Sequence, residues 1–263
     1  PLAQSDVPIF NDHPLFWDQG DDSKGYCLLV NGWDAELIYQ LASQSHYKIV
    51  AIDDQGSKIE NTRKTLDNAG VYDSRFAFIY ADIHSASLPQ YFANRIYAKI
   101  ESDQDMMDTI HSIYRYLKPH GGIAMVGPVQ NGSHWLKQIE LENAVLSTID
   151  HKGTWLKMVR GELENSGEWT HLYADAGNTA CSKDQLLQKE MQLLWFGRPG
   201  PRLMVDRHHR PMSSLVKEGK IFIPANDRVI AIDAYNGTRL WDVGVPHSRR
   251  IGVLKDSGQM VVS

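Results

Sequence analysis

The stretch "GYCLLVNGWDAELIYQLASQSHYKIVAIDD", residues 25–54, decides the architecture. Its opening, Gly25 to Gly32, is a short apolar run without alternation, the pattern of a strand buried on both faces. Asp34 to Ser45 follows, with Leu37, Ile38 and Leu41 at helical spacing and Asp34 placed to cap the first turn. Tyr47 to Asp54 is a second apolar run, closed by two acids. Strand, helix and strand in direct succession predict one unit of a parallel sheet.

Working outward, the alternation continues. Gly56 to Asn68 reads as a helix ended by Ala69-Gly70, and Arg75 to Asp82 as a third strand. Ala93 to Ile100 is a weaker fourth strand. Met106 to Leu117 is a helix stopped by "KPHGG", and Gly121 to Val129 a fifth strand. Upstream, residues 1–24 open "PLAQSDVP", with no Met and no apolar signal core, as expected of an extension on a processed or trimmed chain. After about Trp155 helical periodicity fades, apart from Lys183 to Leu194. Short runs take over ("TWLKMVRG", "LLWFG", "KIFIPA", "RVIAID", "TRLWDVGV"), separated by Gly, Pro, Asn and Asp, which is antiparallel β chemistry. A boundary is expected within "GELENSGEW", Gly161 to Trp169. Residues 25–165 then form a doubly wound α/β domain on a parallel sheet, and residues 166–263 a β domain.

The 263 residues are 42% hydrophobic and 22% charged, enough apolar mass for a real core. A net charge of −5, with Lys and Arg scattered except for groups such as Arg207 to Arg210 and Arg249-Arg250, argues against a nucleic-acid partner. No stretch is apolar for long enough to span a bilayer. Two cysteines, Cys27 and Cys181, are too few for a disulfide framework or a thiolate metal site. Cys27, inside "YCLLV", reads as a buried and unreactive thiol.

An open parallel sheet binds ligands at the carboxyl ends of its strands, where the strand order reverses. The first strand ends in "VNGWDAEL", where Gly32, flanked by Asn31 and Trp33, offers a backbone that a ligand can approach. The second ends at Asp53-Asp54. Asp53 is placed to accept hydrogen bonds from the two hydroxyls of a ribose; equally well, Asp53 or Asp54 caps the helix starting near Ser57. The third ends in Ala81-Asp82-Ile83, where Asp82 is placed to accept from an exocyclic amine such as that of adenine.

The order "LLVNGWDAEL … IVAIDD … IYADIH … LKPHGGIAMVG" resembles the class I S-adenosylmethionine-dependent methyltransferases over roughly residues 25 to 160. The resemblance implies a Rossmann-like fold with S-adenosylmethionine as cofactor. It also implies a glycine loop at Asn31, Gly32 and Trp33, a ribose-binding acid at Asp53 and an adenine contact at Asp82 and Ile83. Lys118-Pro119-His120-Gly121-Gly122 matches the family's "LKPGG" turn with one insertion. The first loop departs from the family: with Glu36-Leu37 at the usual end of the motif its three glycines correspond here to Asn31, Trp33 and Ala35, and a shift of one residue rescues only Gly32. A tryptophan there either stacks on a ligand or fills the space of the cofactor's methionine end. No "NPPY"-type segment follows the fourth strand, and no catalytic base stands out.

"VIAIDAYNGTRLWD", Val229 to Asp242, resembles the repeat of the pyrroloquinoline-quinone-type β-propellers, with Ala231, Asp233, Gly237 and Trp241 at the pattern positions. Asn236-Gly237 is expected to supply the positive-φ residues of a tight hairpin. "GEWTHLYADAGNTACS" and "LLWFGRPGPRLMVDRHHRP" resemble the entry segment of the same propellers, as found in bacterial proteins that join the two domain types. The tryptophan is then a packing residue between blades. A propeller needs four to eight four-stranded blades. About 95 residues hold one or two, so the implied partners are the remaining blades, from this protein or another chain. No quinone is implied by this chain alone. Asp206, Arg207, His208 and His209 form the most polar cluster; adjacent residues of a strand face opposite ways, so a solvated turn is expected rather than a metal site. Asn131 and Asn236 match the glycosylation pattern and read as turns.

Three functions remain: a methyltransferase-like domain fused to a propeller, a non-catalytic scaffold, and a fragment of a quinoprotein oxidoreductase.

Overall fold

The computed structural model describes residues 24–100, 102, 106–187, 193–200, 203–204, 212–246, 248 and 260–263. The chain divides into two compact units between Gly161 and Glu162. The extension at residues 1–23, the Asp206 to His209 cluster and Arg249-Arg250 lie outside the described residues.

The first unit runs β1 (Lys24–Val30), α1 (Ala35–Gln44), β2 (His46–Asp53), α2 (Gly56–Asn68), β3 (Phe76–Tyr80), β4 (Arg95–Lys99), α3 (Met106–Tyr116), β5 (Ile123–Val129), α4 (Gly132–Gln138), β6 (Ala144–Asp150) and β7 (Thr154–Arg160). The sheet order is β3-β2-β1-β4-β5-β7-β6. β1 pairs in parallel with both β2 and β4, so the chain's winding reverses at its carboxyl end. The sheet is Rossmann-like but mixed. "TWLKMVRG" is β7, antiparallel to β5 and β6 within this sheet and inside the expected first domain. The sequence reading missed β6, whose outward residues at this sheet edge are mostly exposed.

Burial on both faces explains the unbroken apolar runs. Leu28, Val30, Val50 and Ile52 pack toward α3 with Ile110 and Ile113, whereas Cys27, Leu29, Ile49 and Ala51 pack toward α1 and α2 with Ile38, Leu41 and Leu66. Asp34 caps α1 by accepting from the Leu37 N–H at 2.8 Å. At the opposite end of the sheet, Arg160 is 7% exposed and donates through Nη1 to the carbonyls of Tyr114 and Leu117 at 2.6 and 2.9 Å. These carbonyls lie at the carboxyl end of α3, where a cation complements the helix dipole; the Tyr114 carbonyl also accepts from the Leu117 N–H at 3.2 Å. Its guanidinium lies 4.2 Å from the Tyr114 ring centroid and 4.7 Å from that of Tyr91. The "LKPHGG" turn hangs on the same strand end: the His120 and Gly121 N–H groups donate to the Gly161 and Arg160 carbonyls.

The second unit carries one four-stranded antiparallel sheet, β8 (Leu215–Lys217), β9 (Lys220–Ala225), β10 (Arg228–Asp233) and β11 (Arg239–Gly244), each strand beside the next in sequence. The turn between β10 and β11 is wider than expected, spanning Ala234 to Thr238. Of the Asn-Gly pair only Gly237 has positive φ, +71°. Asn236 is buried and accepts from the Thr238 N–H, while Asp233 Oδ1 accepts from the N–H groups of Tyr235 and Asn236. A Cβ on Gly237 would stand 2.4 Å from the ring of Trp195, whose Nε1–H donates to the Ala234 carbonyl at 2.8 Å. The Asp-x-x-x-Gly spacing therefore serves a side-chain-capped loop under an indole. Trp195 belongs to "LLWFG", which forms no strand. Residues 183–187 and 193–194 of the expected helix are not helical, and residues 188–192 lie outside the described residues.

Alternation gives this sheet two apolar faces. One buries Ile223, Ala225, Ile230 and Ile232 with Trp195 and Leu203. The other carries Leu215, Phe222, Val229, Trp241 and Val243 and, with Met260 to Val262, lines a groove of about 410 Å³. Trp241 there is 41% exposed and leans on Phe222 with ring centroids 5.8 Å apart.

Candidate functional site

The carboxyl ends of β1, β2 and β3 meet at the winding reversal and bring four of the six expected residues together. Asn31 and Gly32 turn the chain through positive φ, +54° and +58°. Trp33 is thereby folded back under β2. Its indole is 1% exposed and its Nε1–H donates to the Ile52 carbonyl at 2.9 Å, an oxygen that also accepts from the Asn31 N–H at 3.2 Å. The ring tilts against Phe78 at 5.6 Å. Trp33 is thus core filling at the strand ends.

The next residue of β2, Asp53, is 2% exposed. Its Oδ1 accepts from the Gln55 N–H at 3.0 Å, and its Oδ2 from Lys58 Nζ at 2.5 Å. The same ammonium sits 4.5 Å from the centroid of the Trp33 ring. One cation therefore satisfies a buried carboxylate and lies over an aromatic face, the two environments that stabilise an ammonium best away from water. Gln55 is the N-cap residue of α2, without a side-chain cap, so Asp53 braces the turn into the helix rather than capping it.

Gly32 has the close approach that its missing Cβ permits, but the approaching group is internal. A Cβ there would lie 2.3 Å from Cδ and 2.4 Å from Cβ of Lys99, at the end of β4. Asp82 and Ile83 stand somewhat apart. The Ala81 N–H donates to the Asp53 carbonyl, which puts Asp82 at the same sheet edge. Asp82 is exposed and accepts from the His84 N–H at 2.8 Å. Ile83 is 4% exposed and packs into the α3-side core.

Sequence reasoning missed Lys58 and Lys99. The signal available for the first was a lysine five residues after a strand-end acid, within the first turn of the next helix. For the second nothing in the sequence served, because β4 had to be placed beside β1 first. No thiol is activated nearby: burial pushes Cys27 up to about 12. Among the described residues no group of three His, Cys, Asp or Glu side chains could hold a metal ion, and no helix is long and apolar enough to cross a membrane.

No protein-family model and no curated protein matches the chain. Among solved structures, it is similar to a candidate S-adenosyl-L-methionine-dependent methyltransferase of Methanococcus maripaludis, at 16% identity and a TM-score of 0.47, over 54% of this chain and 79% of that one. A methyltransferase from Geobacter sulfurreducens matches at 14% identity and a TM-score of 0.42, over 52% and 73%. The N-methyltransferase NodS from Bradyrhizobium japonicum matches at 16% identity and a TM-score of 0.40, over 53% and 86%. At these scores and identities the likeness carries no argument of its own. The Rossmann-like assignment rests on the strand order and on the winding reversal between β1 and β4.

Proposed function

We propose that the first unit is a methyltransferase-like domain of the S-adenosylmethionine type whose nucleoside seat is filled by its own side chains, so that it serves as a non-catalytic scaffold. One observation carries this: both oxygens of Asp53, the acid placed for a ribose, are engaged internally by Gln55 and Lys58. The residues present do not fit S-adenosylmethionine. The glycine backbone is roofed by Lys99, and the tryptophan in the loop is packed into the core.

Titration calorimetry of the full chain with S-adenosylmethionine and S-adenosylhomocysteine tests the reading. The expected result is no heat of binding at millimolar ligand. Low-micromolar binding that disappears in Asp53→Ala would overturn it.

For the second unit we propose one blade of a pyrroloquinoline-quinone-type propeller, the further blades being its partners. Its support is the sequential four-strand order with an apolar groove on the Trp241 face. The mass of the intact protein from its source checks this: the expected mass leaves room for several more blades, and a mass equal to that of these 263 residues would sink it.

A further inference from the structure

We infer that Lys58 is an internal ligand that closes the crevice: its ammonium holds the place at Asp53 that the vicinal hydroxyls of a nucleoside would otherwise take. The inference rests on the methyltransferase-like reading and adds to it which side chain shuts the site and by what chemistry.

Three observations converge. The Asp53 side chain is 3% exposed and that of Lys58 27%, so the carboxylate is covered by a side chain that is itself only partly buried. Lys58 is the third residue of α2, where the helix's positive end disfavours a cation and the first turn has no acid of its own. The lysine is held there by Asp53 at 2.5 Å and the Trp33 face at 4.5 Å, against the local preference. Lys99 roofs Gly32 on the neighbouring strand end, so the backbone that a ligand would approach is covered as well. A group arriving at Asp53 must displace Lys58, and a pair of hydroxyl donors is what a carboxylate can accept in exchange.

The affinity withheld is that of one charge-assisted hydrogen bond, about ten- to a hundredfold. The test uses the full chain and two probes, adenosine and S-adenosylhomocysteine. Lys58→Met keeps an aliphatic stem over Trp33 and removes the charge. Calorimetry should show adenosine binding at least tenfold tighter than to wild type, with the gain abolished in Lys58→Met/Asp53→Asn. On the unsubstituted protein, Lys58 should acylate far more slowly than the exposed Lys64, and the difference should shrink in Asp53→Asn. A folded Lys58→Met that binds no better than wild type overturns the inference, as does a Lys58 that acylates as fast as Lys64. The first outcome leaves the reading of a filled seat standing, because Lys99 still roofs Gly32; that reading fails separately if the wild type itself binds S-adenosylmethionine tightly.

Discussion

Replacing Trp33 by alanine removes an indole that is 1% exposed, in contact with Phe78 and covered by Lys58. Emptying a core site of this size costs about 3–5 kcal/mol, the range set by how far the surroundings collapse. Here two features place the expected loss near the middle, at about 4 kcal/mol. The Ile52 carbonyl keeps its bond from the Asn31 N–H, so losing the indole orphans no buried acceptor and adds no full desolvation penalty. Against that, Lys58 loses the aromatic face, worth about 0.5–1 kcal/mol at a partly exposed site. Trp33→Phe retains most of the volume and should cost only about 1–2 kcal/mol. Urea denaturation of the full chain, with the first unit's transition identified from hydrogen exchange in β1 and β2, reads both values. An alanine variant that loses less than about 1 kcal/mol at an unchanged denaturant slope would refute the view of Trp33 as core filling.

Arg160→Met strips the Leu117 carbonyl of its side-chain donor and leaves Tyr114 only the Leu117 N–H; it should cost about 1–3 kcal/mol, seen first as faster hydrogen exchange at the end of α3. Gly237→Ala combines a left-handed backbone, about 1–2 kcal/mol, with a Cβ against the Trp195 ring. It should loosen β10 and β11 while leaving the first unit's exchange unchanged. Of the two thiols, exposed Cys181 should react with iodoacetamide at mildly alkaline pH and buried Cys27 only on unfolding; equal rates would contradict the packing of β1. Burial raises Cys27 from 9.0 and Tyr97 from 10.0, each to about 12. The unfolded chain therefore releases these protons first, and stability should fall as pH rises from about 9 toward 12. A flat profile across that window would argue against their burial.

The elements most legible in the sequence were those with the plainest hydrophobic pattern. α2, β9 and β10 begin and end where apolar spacing and the flanking Asn, Gly and Asp place them. Asp34 was recognisable as a cap because capping is local chemistry. α4 and β6 were not legible: the first is seven residues long, opened by an Asn-Gly pair that reads as a turn, and the second shows mostly exposed residues at a sheet edge. In the crevice, Asp53 and Gly32 were visible as residue types, but their neighbours were not. What occupies them, Lys58 and Lys99, depends on a side chain folding back from a helix and on β4 lying beside β1. Neither is encoded in spacing along the chain. That β7 pairs with β5 was equally illegible, since an antiparallel run is the same sequence signal whichever sheet it joins.

The placement of β1 between β2 and β4 has a consequence for how the protein is made. One edge of β1 is met by β2 almost at once, but the other waits for a partner far along the chain: the Tyr26 N–H bonds the side chain of Asn94, 68 residues away. At ribosomal speeds, roughly 2 to 8 s separate the emergence of β2 from that of β4. Throughout that interval a nascent polypeptide displays an apolar strand, Cys27-Leu28-Leu29-Val30, with unpaired amides and carbonyls along one side. Such an edge is a template for another copy's strand, so crowded polysomes are where this protein is most exposed to misassembly. A messenger truncated before residue 95 should yield an insoluble product, whereas one extending through β4 closes the edge with its own chain.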